Sequence, residues 1–295
     1  MAQQNSIIEL DTGTDELLCR IESRVAVITL NKPQKKNALG DILTPALRRT
    51  LLMVEDDDRV GCVMITGAGN AFCAGGDVSE MGGGPTTPEP SSEHSSEHSS
   101  EPSPKPSPKH REERIAELTM KQATLTQRLF ELDKVTIAAL PGAAAGAGVS
   151  IALACDLRVA STNAFITTAF RNIGLSGDYG GSWFLPRLIG LAKAKELYYT
   201  SPRVDASTCL ALGIFNQVFA EDEFQSAAFE YAKLIAQGPT QALGRMKKNL
   251  NASLQNNLSE SLEMEARHLI ASAGTQESKE AVTAFMEKRQ PKFHD

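Results

Sequence analysis

The sequence predicts an α/β fold that turns almost wholly helical in its last third, and three observations carry that prediction. Short apolar runs such as Val60 to Thr66 read as strands buried in a sheet covered on both faces, and they alternate with stretches of helical periodicity. Three loops of small residues, Gly67 to Asp77, Pro141 to Gly148 and Ile173 to Ser182, each stand between a strand-like run and a helix. Beyond about residue 220 the apolar residues recur at helical spacing.

Leu17 to Asn31 holds two β-rich runs around Glu22-Ser23, an N-terminal hairpin ended by Lys32-Pro33. A polar loop from Gln34 to Leu39 leads into an amphipathic helix from about Asp41 to Val54, with Leu43, Leu47, Leu51 and Val54 on one face. The strand Val60 to Thr66 and the first small-residue loop follow, with a helix starting near Val78 to Met81. Residues 82–110 then change character, with Ser-Ser-Glu-His repeats and a Pro/Ser/Lys ending. A tract with so few apolar side chains cannot offset its ordering entropy by burial and is expected to be disordered. His94, His98 and His110 lack a rigid frame there, and no metal is expected. From about Arg111 to Lys134, Ile115, Leu118, Leu125, Leu129 and Leu132 build a long amphipathic helix that delivers the chain to a strand at Val135-Thr-Ile137.

The stretch Ala139 to Asp156 reads as strand, tight turn and buried helix. Side chains this small let a second backbone or a ligand touch the main chain, and the first N–H groups of the helix point at the turn. An acceptor that is becoming negative suits such a place, and so does close packing of a Gly/Ala-rich helix against its neighbours. Strand-like pieces at Leu157 to Ala160 and Ala164 to Phe170 precede the third loop. Helices follow at about Trp183 to Leu188 and Ala192 to Thr200, then a helix-turn from Asp205 to Gly213 and a strand from Asn216 to Phe219. The remaining helices run near Asp222 to Gln237, Pro239 to Asn256, Leu258 to Ser272 and Gln276 to Lys288. Their Met246, Leu250, Leu258, Leu262, Met264 and Leu269 read as core or subunit interface.

With 295 residues, 41% of them apolar, the chain can bury a full core. No apolar run approaches membrane-span length, and the start Met-Ala-Gln-Gln-Asn-Ser lacks the basic flank and apolar stretch of a signal peptide, so a cytoplasmic protein with no membrane partner is expected. Five scattered cysteines without a Cys-x-x-Cys pair read as reduced, buried thiols. A net charge of -6 counts against a nucleic-acid partner.

Four segments resemble, in order, the crotonase superfamily, the enoyl-CoA hydratase/isomerase family. They are Asn37-Ala-Leu after the Asn31-Lys-Pro turn; Phe72-Cys-Ala-Gly-Gly-Asp77; Pro141-Gly-Ala-Ala-Ala-Gly-Ala-Gly148 with Ala152-Leu-Ala-Cys-Asp156; and Ile173-Gly-Leu-x-x-Asp-Tyr-Gly-Gly181 with Leu185-Pro-Arg-Leu-Ile-Gly190. The resemblance spans nearly the whole chain apart from the Ser/Pro insert. It implies a crotonase-type spiral of ββα units over residues 1–200 and a C-terminal helical trimerisation region over 201–295, assembled as a homotrimer or homohexamer. An acyl-CoA thioester is the implied substrate; coenzyme A is part of it, and no separate cofactor is expected.

By the same resemblance, the backbone N–H groups of Ala74 and Ala147 form an oxyanion hole. Two donors aimed at a thioester oxygen stabilise the enolate by about 3–4 kcal/mol for each donor that matters. Lys36, Ala38, Gly75, Gly76, Asp77, Gly146 and Tyr179 fall at substrate- and CoA-binding places, Ala38 near the adenine, and Asp77 also reads as a helix cap. Lys35, Lys247, Lys248 and Lys288 are further cations available to CoA phosphates; Glu80 reads as a solvated carboxylate or a pocket residue, and Phe170 and Trp183 as core or acyl-pocket wall.

Hydratases of this superfamily resemble one another in two glutamates, and the matching places here hold Ser150 and Phe170. Asp178 instead resembles the single catalytic aspartate of the ring-isomerising and double-bond-isomerising branch. One carboxylate suffices to take a proton from one carbon of an acyl chain and return it to another, if burial raises its pKa. The expected activity is therefore an enoyl-CoA isomerase. The alternatives are an enoyl-CoA hydratase using another carboxylate, and a non-catalytic CoA-ester or RNA-binding family member.

Overall fold

Successive pairs of strands build the core, each sending its first strand to a large sheet and its second to a small one. The computed structural model describes residues 7–77 and 108–294. The large sheet begins with β1 (Ile8–Leu10), β2 (Leu17–Glu22) and β3 (Val25–Leu30), and continues through β4 (Cys62–Gly67), β6 (Val135–Leu140), β8 (Leu157–Ser161) and β11 (Gln217–Phe219). The small sheet runs β10 (Val204–Asp205), β9 (Phe165–Thr167), β7 (Ala143–Ala145), β5 (Ala71–Cys73). Thus β4–β5, β6–β7 and β8–β9 are the strand pairs of a ββα spiral, and from β3 onward the large sheet is parallel. Only the β1–β2–β3 edge is antiparallel, and Ser23 and Arg24, both at positive φ, make the tight turn of its hairpin.

The strands read as continuous apolar runs because helices cover both faces. On one face Val25, Val27, Met64, Ile137 and Val159 meet Phe224, Ala228, Ala232 and Ala236 of the helix Phe224–Ala236. On the other, Ala26, Ile28, Leu30, Val63 and Ile65 meet Leu43, Leu47 and Leu51 of α1 (Leu43–Glu55). The exposed α2 (Pro108–Gln122) leads into this second layer, which also holds a π-turn (Ala123–Gln127), the short α3 (Arg128–Glu131) and α4 (Ala147–Ala154). After β9 come a 3-10 turn (Phe170–Ile173), α5 (Gly181–Ile189) and α6 (Leu191–Thr200), and then α7 (Ala206–Ala211). The helix Phe224–Ala236 is α8, followed by α9 (Thr240–Ala252), α10 (Leu258–Ala273) and α11 (Gln276–Glu287). No described helix is long and apolar enough to cross a membrane.

Several expectations are revised. The helix expected from about Arg111 begins at Pro108, since proline suits a first helical position, so residues 108–110 leave the disordered tract. It is also not one regular helix: the π-turn turns the apolar stripe, leaving Ile115 and Leu118 exposed while Leu125, Leu129 and Leu132 are fully buried. The core does not stop at residue 200, because β10, β11 and α8 tie residues 204–236 into both sheets. The helix expected near residues 78–81, the rest of the Ser/Pro tract, Glu80, His94 and His98 lie outside the described residues.

The C-terminal helices are fastened by one buried cation. Lys247 of α9, 6% exposed, donates to the carbonyls of Leu129 (3.0 Å) and Lys134 (3.2 Å) and pairs with Asp156 at 2.8 Å. Asp156 in turn accepts from the Thr136 N–H and hydroxyl at 2.7 and 2.9 Å. Lys247 is therefore an internal tie and not a CoA ligand. Removing one partner of such a pair leaves an uncompensated buried charge, so Lys247→Ala should cost about 3 kcal/mol or more in urea unfolding. Lys248→Ala, which breaks the exposed pair with Asp133, should cost less than about 1 kcal/mol.

Candidate active site

The first loop is held by Asn37, whose side chain is fully buried at a residue with φ +56°. Its Oδ1 accepts from the Lys32 N–H at 2.9 Å, and its Nδ2 donates to the carbonyls of Ala68 (3.0 Å) and Ala71 (2.8 Å). The segment 36–39 then zips to the loop after β5. Ala74 N–H donates to the Lys36 carbonyl at 2.9 Å, Leu39 N–H to Gly75 at 2.7 Å, and Asp77 N–H to Leu39 at 2.8 Å. Ala74 is thus not available as the oxyanion donor expected of it, because its N–H is spent. The next N–H, that of Gly76, has no hydrogen-bond partner among the described residues.

Glycine is required where this loop meets the second one. Gly75 has φ +92°, and a Cβ on it would lie 2.9 Å from the Ala145 carbonyl and 3.4 Å from the Ala147 nitrogen. A Cβ on Gly148 would overlap the Cys73 carbonyl oxygen. Gly146 turns the chain at φ +50° and ψ −123° and serves as the N-cap of α4, so Ala147 is its first residue. The N–H of Ala147 has no partner among the described residues either. Two unengaged backbone donors, on Gly76 and Ala147, therefore belong to loops in direct contact.

Asp178 sits on the third loop, where Gly177, Tyr179 and Gly180 all have positive φ. Its carbonyl accepts from Ser150 Oγ at 2.9 Å, and the Tyr179 N–H donates to Gln122 Oε1 at 2.7 Å. The Tyr179 hydroxyl accepts from Arg48 at 3.4 Å. The Asp178 carboxyl is half-buried and its Oδ1, fully out of solvent, has no hydrogen-bond partner among the described residues. Burial pushes its pKa up to about 6. Nearby, the Tyr198 phenol is pushed up to about 12, first by burial and then by the Asp178 charge. Phe170 stacks on Tyr198 with ring centroids 6.2 Å apart, and its ring lies 3.6 Å from where a Gly146 Cβ would be. That ring joins the surroundings of Asp178 to the turn at Gly146.

The other expected residues distribute as follows. Asp77 is buried and receives the ammonium groups of Lys32 (3.3 Å) and Lys35 (2.7 Å), so Lys35 is engaged with protein; the helix that Asp77 was expected to cap lies outside the described residues. Lys36 is exposed and reaches Asn70 Oδ1 at 2.6 Å, while Ala38 is buried beside it. Trp183 meets Phe130 and Phe184 edge-on around a cavity of about 410 Å³ that Gln122, Thr126 and Gly180 also line. All five cysteines are free and buried; burial holds the Cys73 thiol up at about 12, which keeps it protonated at neutral pH on the loop after β5. Gln122, Arg48 and Tyr198 went unremarked in the sequence. They reach the Asp178 loop from helices of ordinary composition, and no local motif marks them.

Comparison with known proteins agrees with this layout. A family model described as enoyl-CoA hydratase/isomerase matches residues 20–101 and 108–295. The 1,2-epoxyphenylacetyl-CoA isomerase of Escherichia coli K12 is 32% identical over 277 residues, 94% of this chain and 97% of that protein. The 4-chlorobenzoyl coenzyme A dehalogenase-1 of an Arthrobacter species is 31% identical over 264 residues, covering 90% of this chain and 88% of that one. The crystal structure of an enoyl-CoA hydratase from Polaromonas sp. JS666 matches at a TM-score of 0.80 with 30% identity, over 94% of this chain and 98% of that one. Relatives with three different activities share the frame, and by fold, loops and sequence the chain belongs to the enoyl-CoA hydratase/isomerase family of the crotonase superfamily.

Proposed function

We propose that this protein is an enoyl-CoA isomerase in which Gly76 and Ala147 hold the thioester oxygen and Asp178 moves a proton. The observation that carries the reading is the Asp178 carboxyl itself, with one oxygen buried and unpaired and a pKa near 6. A carboxylate so placed is ionised at pH 7 yet basic enough to accept a carbon-bound proton and acidic enough to return it. In a 3-enoyl-CoA, Asp178 takes the proton from C2; the electron pair delocalises into the thioester oxygen, where the two N–H groups meet the growing charge. The resulting dienolate then takes the same proton back at C4, and the double bond ends between C2 and C3. Coenzyme A enters and leaves as part of the substrate.

The places where hydratases of the family carry glutamates hold Ser150 and Phe170, and Ser150 is already bonded to the Asp178 carbonyl. This favours proton shuttling over activation of water. The E. coli relative, named as an isomerase of a CoA thioester, supports the same reaction class. Buried, free cysteines suit a cytoplasmic setting. For assembly we infer a homotrimer or homohexamer, because α10 and α11 expose Leu258 (75%), Ile270 (74%) and Phe285 (81%), a face that a second copy would cover. Light scattering should then return three or six times the 31.7 kDa chain mass.

Given trans-3-hexenoyl-CoA, the protein should generate the conjugated thioester absorbance; given a 2-enoyl-CoA, a hydratase would destroy it. Asp178→Asn should lower kcat by about 10²- to 10⁴-fold while leaving thioester binding nearly intact, and undiminished turnover would remove Asp178 from the mechanism. In the native protein kcat should fall as pH drops through about 6, as the base is protonated. The sign for stability is opposite. The folded chain binds this proton more tightly than the unfolded chain, so ionisation destabilises the fold as pH rises from the ordinary carboxyl range through about 6. Asp178→Asn should accordingly raise Tm at pH 7 and leave it nearly unchanged at about pH 3, below the ordinary carboxyl range.

Ala147→Pro tests the oxyanion donor, since proline is tolerated at the first residue of a helix but loses the N–H and sets its ring carbon where the thioester oxygen would sit. The expected loss is about 10²-fold or more in kcat with the fold retained by circular dichroism.

A further inference from the structure

The carbonyl of Asp178 and the N–H of Tyr179 belong to one planar peptide unit, and different helices hold its two ends. Ser150 of α4, 1% exposed, donates its hydroxyl to the carbonyl end at 2.9 Å. Gln122, the last residue of α2, accepts from the N–H end at 2.7 Å. The plane is thereby fixed about the chain axis, and with it the Asp178 ψ and the Tyr179 φ, which is +52° and costly for a residue with a bulky side chain. Releasing this plane would let Tyr179 leave the left-handed region and let the loop that carries Asp178 shift with it.

Gly181 leaves room for the Ser150 grip and adds a longer third contact, its own N–H to the Asp178 carbonyl at 3.4 Å. A Cβ there would lie 2.5 Å from Ser150 Oγ and 2.6 Å from the Tyr198 hydroxyl, so any larger residue displaces one or both. A glutamate in place of Ser150 would set a carboxylate against the Asp178 carbonyl, acceptor against acceptor. In this chain the position that hydratases use for chemistry has become a main-chain anchor.

We propose that Ser150 and Gln122 clamp the single peptide unit between Asp178 and Tyr179 and are positioning residues that aim the Asp178 carboxylate. The inference rests on Asp178 being the base. The charged and titratable groups around that carboxylate are Tyr198 from α6, Tyr179 on its own loop, and, acting on Tyr179, Arg48 from α1 and Lys121 from α2. The clamp variants remove none of them.

The test uses the full chain with trans-3-hexenoyl-CoA and four variants: Ser150→Ala, Gln122→Met, Gln122→Glu and Asp178→Asn. Misplacing a catalytic group by about 1 Å costs up to about 100-fold, so Ser150→Ala and Gln122→Met should each lower kcat by about tenfold or more with KM within about twofold. The acid limb of the kcat profile should move to lower pH in both, as the freed carboxyl meets solvent. Gln122→Glu keeps an acceptor oxygen and should restore kcat to within about threefold of native. The Tyr179 amide should exchange slowly by NMR in the native protein and in Gln122→Glu, and rapidly in Gln122→Met and Ser150→Ala, a readout that needs no turnover. If Asp178→Asn stops turnover while Ser150→Ala and Gln122→Met keep native kcat, or if the Tyr179 amide stays protected in both, the clamp is wrong and the base assignment stands. If Asp178→Asn turns over normally, the base assignment fails, and amide exchange alone then decides whether the peptide is clamped.

Discussion

Everything at this site depends on two backbones approaching with no side chain between them. Gly148 lies against the Cys73 carbonyl and Gly75 against Ala145 and Ala147, and neither position tolerates even a methyl group. That approach is possible because β5 and β7 are neighbours in the small sheet while β4 and β6, the strands that precede them, are neighbours in the large one. The sheets fix where the loops emerge, and the missing side chains let the loops touch. The N–H groups of Gly76 and Ala147, which have no partner among the described residues, lie on these touching loops.

The same logic explains what the sequence disclosed and what it hid. Apolar strand runs, glycines at tight contacts and the C-terminal helical periodicity are properties of local segments, so they were legible. Which N–H stays unpaired is not a local property. Ala74 and Gly76 look alike as small residues in one loop, and the difference between them is a carbonyl 38 positions upstream, presented by Lys36 in the left-handed region. Lys247 was equally opaque: a lysine on an amphipathic helix reads as surface until the carbonyls of Leu129 and Lys134 and the carboxylate of Asp156 converge on it. The π-turn at Ala123–Gln127 escaped for a related reason, since one extra residue in a turn leaves the composition unchanged and alters only which face the next leucines take. Strands β1 and β10, with three and two residues, are too short to carry any alternation.

Relatives named as an isomerase, a dehalogenase and a hydratase are about 30% identical to this chain, and the proposed division of labour between backbone donors and one side chain shows how a shared fold could host different reactions. The donors are main-chain groups, indifferent to the side chains around them provided those are small. The proton-handling group is a side chain, so it can be replaced or moved without disturbing the donors. Ser150 shows how tightly the two are linked in this chain. It lies one helical turn beyond Ala147, and its hydroxyl reaches the Asp178 carbonyl. One short helix therefore presents the proposed oxyanion donor at its first residue and, at its fourth, a hydroxyl bonded to the Asp178 carbonyl.

Asp178 keeps a buried carboxyl oxygen without a partner among the described residues, and the proposed reaction draws on that. A carboxylate with two or three hydrogen-bond donors would have its pKa driven down and would be too weak a base to lift a proton from carbon. Leaving Oδ1 buried without a donor raises the pKa to about 6, at a cost to the fold at neutral pH. The aim of such a carboxylate cannot come from hydrogen bonds to its own oxygens, because those would undo the shift. It has to come through the main chain, by bonds to the adjacent peptide, as the contacts from Ser150 and Gln122 do. In the proposed reaction, basicity and aim are then set by separate atoms of the same residue: the bare side chain accepts the proton, and the held backbone fixes where it does so.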